Sequence, residues 1–130
     1  MPGETDLTVL LKNMKPVLHE GEFVFCSVTN INEIDINQVI GTFAEKEGTT
    51  IVLSRANADK LHLTYSFVCS WITLTVNSSL EAIGLTAAFS TALSKAGISC
   101  NVIAGYYHDH IFVHRRDAGI AMKVLKSLAL

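Results

Sequence analysis

Apolar and polar positions along this chain of 130 residues switch between a helical and an alternating period, and each switch marks an element. Leu7, Leu10, Leu11 and Met14 predict a helix over 6–14 that Pro16 breaks. A strand over 22–29 follows. Ile36, Val39, Ile40 and Phe43, closed by Gly48, predict a helix over 35–47, and strands are expected over 50–55 and near 61–66. In 70–76, Ile72, Leu74 and Val76 share one face of a strand, while Trp71, Thr73 and Thr75 share the other. Leu85, Ala88, Phe89, Ala92, Leu93 and Ala96 form one stripe of a helix over 85–96, with Gly97 placed to stop it. Residues 98–105 read as a strand carrying Ile98, Cys100, Val102 and Ala104 on one side. The segment 110–115 returns antiparallel, and Asp117 is placed to cap a final helix over 117–128.

The two halves repeat. EFVFCSV at 22–28 matches SWITLTV at 70–76, and the helix expected at 36–43 matches 85–92, which predicts a tandem duplication divided into units 1–66 and 67–130. The second half reads β-α-β-β-α, one strand short of a ferredoxin-like unit. The first reads α-β-α-β-β, so the halves look permuted and complementary. The fold class this predicts is α+β, an antiparallel sheet with helices on one face.

Composition then removes function classes. With 10 basic and 12 acidic residues and net charge −2, there is no electrostatic footprint for nucleic acid. The apolar fraction is 49% and the mean hydropathy is +0.36, which suits a dense core. No apolar run approaches the ~20 residues of a membrane span. The N-terminal residues carry no signal-like pattern, and the three cysteines fit neither a zinc ribbon nor a disulfide framework. A cytoplasmic protein with reduced, buried thiols is the expectation, without cofactor or membrane partner.

The polar chemistry gathers in two loops, NSSLEAIG and AGYYHDH. Gly84 can turn the chain into a helix, where the amides of Leu85, Thr86 and Ala87 lack intrahelical acceptors and can seat a carboxylate, with the Ser78 and Ser79 hydroxyls nearby. In the second loop Asp109 can accept from an ammonium or guanidinium group, Gly105 admits close backbone approach, and Tyr106 or Tyr107 can form an aromatic wall. The plain alternative is that both loops only make their turns. His108, His110 and His114 share strand parity, but the His108/His110 pair lacks a well-placed third metal ligand, so no metal site is expected and they read as surface or interface histidines. Trp71 beside Phe67 on the outer sheet face reads as packing against a second copy. No nucleophile elbow, P-loop or dinucleotide fingerprint is present, and no catalytic residue is assigned.

WITLTVNSSLEAIGLTAAFSTAL followed by ISCNVIAGYYHDHIFV resembles the ACT domain of small two-repeat ACT proteins, and is similar to the ACT repeats of a cytosolic arginine sensor. PVLHEGEFVFCSV carries a weaker likeness in the first half. The resemblance implies tandem ferredoxin-like ACT units and a regulatory protein that is not an enzyme. A free amino acid or related zwitterion would be held where two ACT units meet, and the protein would self-associate, most simply as a dimer. The ligand contacts it implies are Asn77, Ser78, Ser79, Leu80, Gly84, Leu85, Thr86, Gly105, Tyr106, His108 and Asp109. Other readings are an interaction module that only dimerises, or a small enzyme using the histidines.

Overall fold

The computed structural model describes residues 6–76 and 83–129. The chain forms two compact units. One joins Met1–Glu20 to Ser70–Leu130, and the other is Gly21–Cys69. This grouping differs from a division at 66/67, because the first strand of the chain pairs far along the sequence.

In the larger unit, α1 (Leu7–Asn13) starts at Asp6, whose carboxylate accepts from the amides of Thr8 and Val9. Strand β1 (Pro16–Leu18) follows and pairs antiparallel with β5 (Val68–Leu74), setting Val17 opposite Thr73 and Leu18 opposite Ile72. The chain continues through α3 (Leu85–Lys95), β6 (Asn101–Ala104), β7 (Asp109–His114) and α4 (Ala118–Ser127). The strand order is β1-β5-β7-β6. Counted from β5, this is fourth-first-third-second, the ferredoxin-like arrangement, and β1 is the strand that the second half lacks. Leu10, Met14, Phe89, Leu93, Ala121 and Leu125 pack on Ile72, Leu74, Ile111 and Val113, so α1, α3 and α4 cover one sheet face. Phe89 and Leu93 are fully buried, as their helical stripe requires. Gly97, at φ +76°, ends α3 as expected, and the Ile98 amide donates back to the Leu93 carbonyl. Asp117 does not cap α4 with its side chain. Instead His114 accepts from the Arg116 amide and starts a 3₁₀ turn over Arg115–Asp117.

The smaller unit has β2 (Phe23–Val28), β3 (Gly41–Ala44), β4 (Thr49–Ser54) and α2 (Arg55–Lys60), with the first two residues of β5 pairing with β2. Its core is Val24, Cys26, Ile51, Leu53 and Ala58. No helix forms over 35–47. Asn30 and Asp35 accept from the amides of Asn32 and Asn37 and set two 3₁₀ turns, Ile31–Glu33 and Ile36–Gln38. Ile31, Ile34 and Val39 face the core, whereas Phe43 is 72% exposed on β3. The strand expected near 61–66 is also absent. Ser54 accepts from the Asn57 amide and begins α2, and His62 then takes a positive φ of 56°. The closer internal match is therefore the hairpin. Gly41–Ala44 and Thr49–Ser54 correspond to Asn101–Ala104 and Asp109–His114 sixty positions on, with the third to fifth residues buried in both β4 and β7.

Candidate functional site

Within the larger unit, the tip between β6 and β7 meets the residues that leave β5, and α3 is the next element along the chain. The tip closes by the Gly105 amide donating to the His108 carbonyl at 2.9 Å. A side chain at Gly105 would meet that carbonyl at 2.9 Å and His110 Nε2 at 3.2 Å, so glycine is needed by close approach within the tip. His108 Nδ1 lies 3.2 Å from the Val76 carbonyl, which ties the tip to the chain leaving β5. Asn77, Ser78, Ser79 and Leu80 follow directly and lie outside the described residues.

At the other side, Gly84 precedes α3 with φ 95° and ψ −15°, and as a glycine it offers no side chain to cap the helix. A Cβ there would meet Leu7 Cδ2 at 3.1 Å. α1 therefore approaches the backbone closely at Gly84. Leu85 turns its side chain into the core, 3% exposed, leaving only its backbone to a ligand. Thr86 is exposed, and its carbonyl accepts from Ser90 Oγ at 2.6 Å. Tyr106 and Tyr107 meet edge to face at 5.0 Å and are 73% and 66% exposed.

Asp109 is half-buried and opposite Ala104, on the same side of β7 as core residues Ile111 and Val113. Burial pushes its carboxyl above the usual range, and the neighbouring His108 opposes that shift. Among the described residues, no side chain pairs with its carboxylate.

The opposite sheet face holds a cluster that the sequence did not reveal. His19 stacks on Trp71 with ring centroids 3.5 Å apart and an 11° interplanar angle. His19 Nε2 is 2.7 Å from Thr73 Oγ1, and that oxygen is 2.9 Å from His110 Nδ1. The Trp71 indole N–H also donates to His110 Nδ1, at 3.1 Å. Alternation along 70–76 pairs Trp71 with Thr73, but nothing local brings His19 or His110 to them. Among the described residues, no group of three or more His, Cys, Asp or Glu is arranged to hold a metal.

Burial raises all three thiols: Cys26 in direction, Cys69 to about 12 and Cys100 to about 11. None is poised as a thiolate nucleophile. The larger unit has a cavity of about 490 Å³ bounded by Ser94, Lys95 and Cys100, and the smaller unit has one of about 350 Å³ between Asn30, Glu33 and Leu63. No helix among the described residues is long and apolar enough to cross a membrane.

Two ACT domain profiles match the sequence in tandem, one over residues 2–70 and the other over 66–127. Among solved structures, a Vibrio cholerae protein of unknown function, described as a possible transport protein, is 48% identical with TM-score 0.86, covering 95% of this chain and 96% of its own. An Agrobacterium tumefaciens protein is 15% identical with TM-score 0.70, covering 89% of each chain. The regulatory subunit of aspartate kinase from Thermus thermophilus is 6% identical with TM-score 0.60, covering 87% of this chain and 95% of its own. At such identities the last two show likeness of fold alone. No protein of curated function matches the sequence.

Proposed function

The chain belongs to the ACT domain family, and we propose that it is a regulatory protein, not a catalyst, that binds a free amino acid or related small zwitterion in its larger unit. The observation that carries this reading is Asp109. It is a half-buried carboxylate without a side-chain partner among the described residues, at a tip tied by His108 to the chain that leads toward α3. A ligand ammonium would supply the missing charge, and the amides at the start of α3, which Gly84 cannot cap, would take the ligand carboxylate. Gly105 and His108 shape the tip. Asn77, Ser78, Ser79 and Leu80 remain candidates by their place after Val76. The aspartate kinase regulatory subunit shares this fold, which agrees with a regulatory role.

Self-association is part of the proposal. Strand β6 is the edge of the larger unit's sheet, and it exposes Val102 and Ile103 at 37% and 39%. A reducing, cytoplasmic setting suits three free thiols.

The test is a thermal-shift screen of the free amino acids. At least one should raise the melting temperature progressively with concentration, by the linkage of ligand binding to folding. Asp109→Asn should weaken that ligand about tenfold or more, as expected when a charge-assisted contact becomes a neutral one. If no amino acid shifts the transition even at millimolar concentration, the interaction-module reading replaces this one.

A further inference from the structure

The four side chains on the helix-free face of the larger unit fix one another's hydrogens. An indole N–H can only donate, so the 3.1 Å contact from Trp71 makes His110 Nδ1 an acceptor without a hydrogen. The Thr73 hydroxyl, 2.9 Å from the same nitrogen, must then direct its one hydrogen there. Having no second hydrogen, Thr73 Oγ1 can only accept in its 2.7 Å contact with His19, so His19 carries a hydrogen on Nε2. The direction runs from His19 through Thr73 to His110, and Trp71 closes it from the other side.

We propose that His19, Thr73, His110 and Trp71 form a polarised proton-sensing relay beneath the β6–β7 tip, in which His110 is held neutral with its hydrogen on Nε2 and His19 takes up the first proton. The two histidines are not equivalent. A proton added to His19 goes to Nδ1, leaves Nε2–H in place, and disturbs no bond in the relay. The resulting cation lies flat on the Trp71 face, 3.5 Å from the ring centre, a favourable cation–π placement. A proton added to His110 must go to Nδ1, where it confronts the Trp71 N–H and forces Thr73 to reverse its hydroxyl.

The surroundings keep both rings on the neutral side. Burial lowers His19, and burial lowers His110 with the charges of His108 and His19 adding to the effect. Among the described residues of this unit, the titratable groups around His110 are His19 after β1 and His108 and Asp109 at the tip. Strand β5 presents Trp71 and Thr73 to it, and β6 places Ile103 opposite it. A folded value below the ordinary one means that stability is full above the ordinary imidazole range. It is lost as pH falls through the folded values. His110 also lies beneath the tip, since a side chain added at Gly105 would meet its Nε2 at 3.2 Å. Reversal of the relay therefore reaches the residues around Asp109.

The inference stands whether or not the tip binds an amino acid, because ligand-free protein is used to test it. Imidazole nitrogen correlations and the indole N–H signal of the protein's one tryptophan would be followed by NMR from about pH 8 to about pH 4.5, spanning imidazole titration. His110 should show the Nε2–H tautomer, and His19 should titrate first. The indole signal should make its main shift with His110, at lower pH. Thr73→Val should return His19 to a mixed tautomer and Thr73→Ser should restore the wild-type form. Trp71→Phe, which keeps a ring for packing, should move the His110 midpoint upward. His62→Asn, in the smaller unit, should change none of these. The relay is overturned if His110 carries its hydrogen on Nδ1 near neutral pH, if His110 titrates before His19, or if Thr73→Val leaves the His19 tautomer unchanged.

Discussion

Replacing Leu10 by alanine tests whether the first twenty residues are structural members of the C-terminal unit. Leu10 is fully buried in the cluster that contains Ile72, Leu74, Phe89 and Leu93. Removing three carbons from such a site costs transfer energy plus the energy of a cavity, together about 2–5 kcal/mol. Against a total stability of about 5–15 kcal/mol for a domain, that is a large fraction. A loss of about 3 kcal/mol should lower the melting temperature on the order of 10 °C at this chain length. Urea denaturation followed by Trp71 fluorescence is the assay, because Trp71 sits on β5, where its carbonyl accepts from the His19 amide at 2.9 Å. Val9→Ala is the matched control. Val9 lies on the same helix but is 41% exposed, so the change should stay within about 0.5 kcal/mol. If Leu10→Ala is as mild as Val9→Ala, α1 does not contribute to this core and the assignment of the larger unit fails.

Asp109→Asn should make ligand-free protein slightly more stable near neutral pH. Burial raises the Asp109 carboxyl, so its ionised form costs stability above the folded value, and the advantage of Asn should vanish as pH falls below the ordinary carboxyl range. Urea titrations of both proteins at several pH values would measure it; an advantage that grows with acid would contradict the assigned cause. Thiol labelling at mildly alkaline pH should proceed slowly at half-buried Cys100 and reach Cys69 only on unfolding, given values of about 11 and about 12. Peptide mapping of an early time point would expose the opposite order. Ile103→Lys, which charges the exposed β6 edge, should shift sedimentation toward the monomer with little change in melting temperature. A dimer that persists must use another surface.

The second half was legible in the sequence because its periods are clean and local. Strand 70–76, the helix from Leu85, its stop at Gly97 and the returning strand all lie close to where the pattern put them. The first half misled because a 3₁₀ turn at Ile36 and the run into β3 carry Ile36, Val39, Ile40 and Phe43 at spacings that imitate an α-helical stripe. Asn30 and Asp35, which could be read as turn formers, were the contrary signal. Helix α2 carries only Ala58 as a fully buried residue, too little for a periodic pattern to register. Of the candidate site, the tip and the start of α3 were legible as polar interruptions, although Gly84 and Leu85 serve packing within the unit. The His19–Thr73–His110 relay could not be read, since its bonds span 54 and 37 positions and no sequence period reports them.

Synthesis delivers the parts of the larger unit in an awkward order. Leu18 waits for Ile72, its partner across the sheet, and at about 5–20 residues per second that wait is roughly 3–10 s. During that interval Leu7, Leu10, Leu11 and Met14 emerge with none of the core from β5 onward yet made. Residues 21–69, in contrast, arrive as one uninterrupted stretch holding every strand their own unit needs. The inner unit can therefore finish first on the ribosome. The outer one stays open until α4 supplies Ala121 and Leu125, leaving the N-terminal helix as the segment most in need of protection while the chain grows.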